Sequence, residues 1–247
     1  MSDHSSVRSS EQAQQPEKLH ETGFSVTVPL AWLPLCIFLL SVVGVHLSYA
    51  IAVYMEHIPL CIPYWDSCTS ISRTGRLLPE KLVFKAFMLP VALLSMVFWW
   101  VLGTWMQRRL ACGRVLIWLG ITANLFVILY LLALGEGGDA YRTLRRTGVT
   151  TYFGLTLLAQ LLFVYYFQSR LLHVNNAPGV HSLYRKMYWL MLLTFVIGIL
   201  SVVLSIFYPG YRYIDDAFEW NIALVMNLHF LLHYWLWREL RIRMQLC

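Results

Sequence analysis

Between Cys61 and Glu80 runs a polar stretch, CIPYWDSCTSISRTGRLLPE, in which hydroxyl and guanidinium groups stand close enough together to grip one anion. Ser70, Ser72, Arg73, Thr74 and Arg76 fall within it, and arginine forks match phosphate oxygens while hydroxyls add further hydrogen bonds. Tyr64 in the same stretch and Arg146 in a later polar connector are candidates for the same ligand. The plainer reading is a folded lid. Thr74-Gly75 and Pro79 are turn chemistry, with glycine expected at positive φ, proline opening the next helix and Glu80 favoured in its first turn.

Other residues have the types that catalysis uses. His57, Asp66, Ser67, Ser70 and Ser72 are ingredients of nucleophilic chemistry, but no nucleophile-elbow spacing accompanies them. Glu219 has two readings. It either meets Arg73, Arg142, Arg145 or Arg146 in an ion pair that holds the lid closed, or it acts on an ester as general acid or base with His57 or His46. His229 and His233, four apart, share a helix face, yet without the glutamate of a zincin motif or a third ligand they predict neither a metal site nor any cofactor.

The elements that must position these groups are membrane helices. The 247 residues are 58% hydrophobic and 13% charged, with mean hydropathy +0.59, where a soluble domain carries roughly 25% charged residues. Several apolar runs reach the ~20 residues needed to cross a bilayer. The expected fold is all-α, a polytopic bundle of six transmembrane helices at about 31–54, 83–106, 115–134, 149–168, 187–207 and 217–237, with an ordered external first loop. Residues 1–28 read as a disordered cytoplasmic tail and not a signal peptide, 29–238 as the membrane domain and 239–247 as a basic cytoplasmic tail. GEGGDAYRTLRRTG and RLLHVNNAPGVHSLYRK read as connectors.

Depth sorts the polar residues inside the spans. Counted from the lid-side ends at about 1.5 Å per residue, His46, Asn124, Asn227, Gln160 and His229 lie roughly 12 to 18 Å deep. Such groups are costly against lipid, so they either pair between helices as packing glue or form a polar floor beneath a cavity opening outward. Aromatic residues at the span ends, among them Tyr54, Tyr64, Trp65, Trp99, Trp100, Trp105, Trp235 and Trp237, are expected to anchor at headgroup level.

Eleven Lys and Arg fall on the side of the termini against eight on the other, which favours cytoplasmic termini and a lid facing outside or into a lumen. Basic residues spread over short loops in this way point to orientation and not to nucleic acid. Cys61 and Cys68 would then lie where disulfides persist. They either close a small loop or remain two buried thiols.

The stretch ISRTGRLLPEKLVF, with Pro63-Tyr64, Ile71-Ser72, Thr74-Gly75 and Pro79-Glu80, resembles the first-loop signature of the Frag/DRAM/Sfk family of six-span membrane proteins. Glu219-Trp220, an acid and an aromatic opening the last span, is similar to that family as well. The family includes damage-regulated autophagy modulators, a lipid-remodelling factor for glycosylphosphatidylinositol anchors and regulators of plasma-membrane phosphoinositide organisation. The chain departs from it at Arg73, where autophagy modulators usually have an acid, and at Arg146, near where many members have a histidine; mechanisms that require the family's acid or histidine there do not carry over.

The resemblance and the residues together imply a protein that binds a phospholipid-like ligand from the outer leaflet and is accessory to membrane lipid organisation or remodelling. Its expected partners are membrane lipids, with no nucleic acid and no identifiable protein partner. A bacterial inner membrane or a eukaryotic endomembrane suits it. The rival expectation is a membrane-embedded lipid acyltransferase or hydrolase using Glu219 with a histidine. A transporter is disfavoured, because no acid lies near the midplane and the halves show no repeat.

Overall fold

A computed structural model describes residues 26–107, 113–171, 178–240 and 243–246. Most of the tail read as disordered (1–25), Arg108 to Cys112 of the basic turn, and residues 172–177, 241, 242 and 247 lie outside the described residues. The elements in order are β1 (Val26–Pro29), α1 (Trp32–Tyr54), the one-turn α2 (Pro63–Asp66), α3 (Glu80–Gln107), α4 (Gly113–Ala133), α5 (Asp139–Tyr166), α6 (Pro178–Phe207), α7 (Asp215–Glu239) and β2 (Arg243–Leu246). A π-turn, Phe167–Leu171, follows α5, and a 3₁₀ turn, Tyr211–Tyr213, precedes α7.

Five helices, α1, α3, α4, α5 and α6, are long and apolar enough to cross a membrane. The chain is therefore an integral, multi-pass membrane protein. With 25 residues, α7 has a comparable length of about 37 Å, but it carries Asp215, Asp216, Glu219, Asn221, Asn227, His229 and His233. Of these, His229 and His233 turn inward, where both are buried against the Phe163 ring.

Helix starts differ from the sequence expectation in one consistent way. Hydropathy marks the apolar run, whereas a helix continues until its backbone meets a stop. After Gly138 at φ 101°, α5 begins at Asp139 and takes in most of the expected connector; α6 begins at Pro178, inside the next one. Proline suits a first helical turn because its missing N–H would lack a partner there anyway. Pro90 lies within α3, which runs unbroken past it.

The helices pack in the order α5, α4, α3, α1, α7, α6, and α6 touches α5 only sparsely. Where α3 and α4 cross, a Cβ on Gly120 would fall on the Trp99 ring, so the close approach needs glycine. Trp99 is consequently buried in the bundle and not at the headgroups. Trp237, stacked on Phe98 with centroids 5.2 Å apart, is buried likewise, and both correct the anchoring expectation; Tyr54 and Trp65 are exposed at the bundle end.

β1 and β2 pair antiparallel, Val26 opposite Leu246 and Pro29 opposite Arg243. This ribbon is the one departure from an all-helical chain among the described residues, and it sets the start of α1 and the end of α7 at the same end of the bundle. Apolar packing divides into two clusters. The larger, around Phe98, Phe163, Met191 and Trp237, fills the half toward this terminal end; the smaller joins Ile71, Phe84, Tyr130, Leu131, Leu134 and Trp220 at the other.

Candidate functional site, a hollow beneath the lid

Residues 55–79 return over the end of the bundle where α1 finishes and α7 begins. Cys61 and Cys68 are joined as a disulfide with Cα atoms 6.6 Å apart, closing a loop around α2. The Tyr49 hydroxyl of α1 donates to Cys61 O (2.6 Å) and accepts from Cys61 N (3.0 Å). From α7, Trp220 Nε1 donates to Thr69 O (2.8 Å) and Asn221 Nδ2 to Tyr64 O (2.8 Å), while Ala217 N donates to Ser67 Oγ (3.1 Å). A non-regular segment over a bundle must satisfy its own backbone groups, and here two helices supply the partners.

Within the lid, Thr74 is fully buried and donates to Ile71 O (2.8 Å), while Ser70 and Ser72 pair with each other at 3.1 Å. Gly75 does not take the positive φ expected of it. It is glycine because a Cβ would stand 2.6 Å from the Phe84 ring, so that lid and α3 meet with nothing between them. Arg73 and Arg76 are exposed, and so is Arg146 on α5.

The acids divide accordingly. Asp216, in the first turn of α7, stands beside Asp215, with the Arg73 charge near enough to act on it. Lys81 donates to Glu136 at 2.7 Å and holds its carboxyl below the usual range. Glu219 makes no ion pair among the described residues; the backbone N–H groups of Ser72 and Ile71 face its carboxylate instead. The arginine clasp expected at Glu219 is thus replaced by two lid amides.

Beneath the lid, between the two apolar clusters, lies a cavity of about 80 Å³. Ile71 roofs it and Glu219 lines it. Its wall is apolar, with Phe84, Ala92 and Leu131 among its residues. Besides Glu219, polar side chains line it from four helices: Ser41 on α1, Asn124 on α4, Thr156 on α5 and Asn227 on α7. Ser41 Oγ donates to Asn227 Oδ1 at 2.6 Å, and Asn124 Nδ2 to Gly120 O at 2.7 Å. Asn124 Oδ1 and Thr156 Oγ1 are buried without a partner among the described residues. Buried groups of this kind normally hold a hydrogen bond, so both are open to a ligand or water.

Of the expected polar floor, Asn124 and Asn227 line the hollow, whereas His46, Gln160 and His229 do not. Gln160 bonds Met226 O (3.2 Å), and His229 stands deeper beside His233, ring centroids 4.7 Å apart. Ser41 and Thr156 were not visible in the sequence, since small hydroxyls recur in spans and carry no signal by themselves. Tyr49 and Asn221, which pin the lid, were equally silent.

The histidines offered for catalysis are committed elsewhere. His46 Nδ1 lies 2.7 Å from Val42 O, which only accepts, so Nδ1 carries the proton and Nε2 accepts from the Tyr64 hydroxyl at 2.9 Å. Tyr64 is therefore a lid fastener. His57 Nδ1 meets Glu80 Oε1 at 2.8 Å, and Glu80 is fully buried. Neither histidine reaches Glu219, so the acid–base pair required for ester chemistry is not assembled. Among the described residues no three His, Cys, Asp or Glu side chains converge to hold a metal ion.

Removing the His57 imidazole with alanine should cost about 2 to 3 kcal/mol, because a buried carboxylate loses its one side-chain partner among the described residues. Thermal melting in detergent checks this. The His57→Ala, Glu80→Gln pair should recover part of the loss; a double variant no better than the single one would assign the effect to packing.

Residues 29–241 match the family model described as the Frag1/DRAM/Sfk1/Cwh43P N-terminal domain. No curated protein and no solved structure gives a match.

Proposed function

The chain belongs to the Frag1/DRAM/Sfk1/Cwh43P family, and from that premise we propose that it is a six-span protein holding a phospholipid-like molecule of the lid-side leaflet between lid and bundle. Its role is accessory, in the organisation or remodelling of membrane lipid. α7 is the sixth span, made tolerable in a bilayer by facing its histidines and asparagines inward. The termini face the cytoplasm and the lid faces outside or a lumen, of a bacterial inner membrane or a eukaryotic endomembrane; the Lys and Arg bias and the bonded Cys61 and Cys68 support this.

The observation that carries the reading is the hollow itself. It is apolar over most of its wall, lies directly beneath the family's loop motif, and ends on two buried polar atoms with no partner among the described residues. Binding sites have this composition, a mostly apolar lining with a few placed polar groups. The ligand sets its phosphate near the exposed Arg73 and Arg76, a hydroxyl-bearing portion toward Asn124 and Thr156, and apolar carbons against the wall. Ser70, Ser72 and Thr74 shape the lid that presents the arginines.

Arg73→Ala with Arg76→Ala should lower co-purified anionic lipid about threefold, the loss of a modest charge-assisted contact. Mass spectrometry of lipid extracted from the purified protein measures it. Unchanged lipid content in folded protein sinks the headgroup assignment.

A further inference from the structure

We infer that the chain carries a second lipid site, at the opposite end of the bundle, taking an anionic phospholipid from the leaflet on the side of the termini. It lies in the cleft left where α5 and α6 part. Leu161 and Val164 on α5 face Met191, Leu192 and Phe195 on α6 across a groove of about 360 Å³. On each helix the lining positions recur at helical spacing over seven residues, so the groove runs about 10 Å along the bundle axis. That is the dimension and character of a seat for an acyl chain.

At its terminal end the groove shares Gln168 and Tyr188 with a polar basin of about 620 Å³. His181, Ser182, Tyr184 and Arg185 line this basin, with no acid among its described lining residues; the Glu239 carboxylate stands against Gly179 in the first turn of α6. Arg185 is exposed and makes no ion pair among the described residues. Tyr184 is buried and stacks on Phe167, yet its hydroxyl has no hydrogen-bond partner among the described residues. An orphaned O–H donor and an exposed guanidinium thus line the same basin. An anionic phosphodiester with its chain down the groove satisfies both and covers the apolar stripe. A zwitterionic lipid brings its own cation to the same phosphodiester and so pairs more weakly with the guanidinium, and a soluble phosphate leaves the groove empty.

The test uses the full-length chain carrying Arg73→Ala and Arg76→Ala, so that the lid arginines make no contribution and the two sites fail independently. Protein in detergent is incubated with dioleoylphosphatidylglycerol or dioleoylphosphatidylcholine, and retained lipid is counted by native mass spectrometry. Phosphatidylglycerol should be retained in preference. Arg185→Gln, on the surface, and Tyr184→Phe, which keeps the stacked ring, should each lower its retention about fivefold, the loss of one hydrogen bond to a charged group. Millimolar sn-glycerol 3-phosphate should not displace it. Equal retention of the two lipids, retention unchanged in both variants, or displacement by glycerol phosphate each overturns the proposal.

Discussion

Replacing Trp220 with alanine is expected to be the most destabilising single change at the lid, costing about 3 to 5 kcal/mol. The indole is fully buried and packs edge-on against Tyr64 (5.2 Å), His46 (5.7 Å) and Tyr49 (6.0 Å), while Nε1 holds Thr69 O. One side chain therefore joins α1, α7 and the lid. Its loss opens a cavity and also releases a buried carbonyl. Trp220→Phe keeps the ring contacts and forfeits the hydrogen bond, so it should cost only about 1 kcal/mol. Limited proteolysis separates the two: residues 57–79 should become readily cleaved in the alanine variant and stay resistant in the phenylalanine one. A lid equally resistant in both would mean that the disulfide and Tyr49 hold it without the indole.

Trp220 also indicates how far the sequence could be read. Bilayer physics is severe, since a span must be apolar and about 20 residues long, and so α1, α3, α4, α5 and α6 could be recognised from composition alone. Where they begin could not, because Asp139 to Gly148 is polar sequence that is nevertheless helical: a helix end is decided by caps and local φ, such as Gly138 at 101°, not by hydropathy. The same limit applied to Trp99 and Trp237. An indole near a span end suits either headgroups or core, and only the facing Gly120 or Phe98 decides between them.

The site was legible in outline for a related reason. Depth counting brought Asn124 and Asn227 to one level, and both line the hollow. It could not distinguish them from His229, at similar depth, because depth fixes height along a helix axis and says nothing of the direction a side chain faces. Nor could it anticipate that His57 would be taken by Glu80, a pairing between a loop and a helix start that no periodicity encodes.

Filling the hollow is the sharpest test of whether it serves a ligand or is a packing fault. Ala92 is buried on its wall, so Ala92→Leu places three further carbons in about 80 Å³ of free space. If the space were a fault, the variant would gain roughly 1 to 2 kcal/mol from added apolar burial and change nothing else. A cavity kept for binding behaves differently, because stability and function then trade against each other. The expected result is a melting temperature that holds or rises together with a fall of about tenfold or more in co-purified lipid, the free-energy equivalent of losing a seat worth about 1.4 kcal/mol. Ala92→Ser, close to isosteric, should leave lipid content near native and control for disturbance of α3. Lipid content unchanged in a stabilised leucine variant would leave Asn124 and Thr156 facing water alone, and the lid would then be no more than the capped end of a helix bundle.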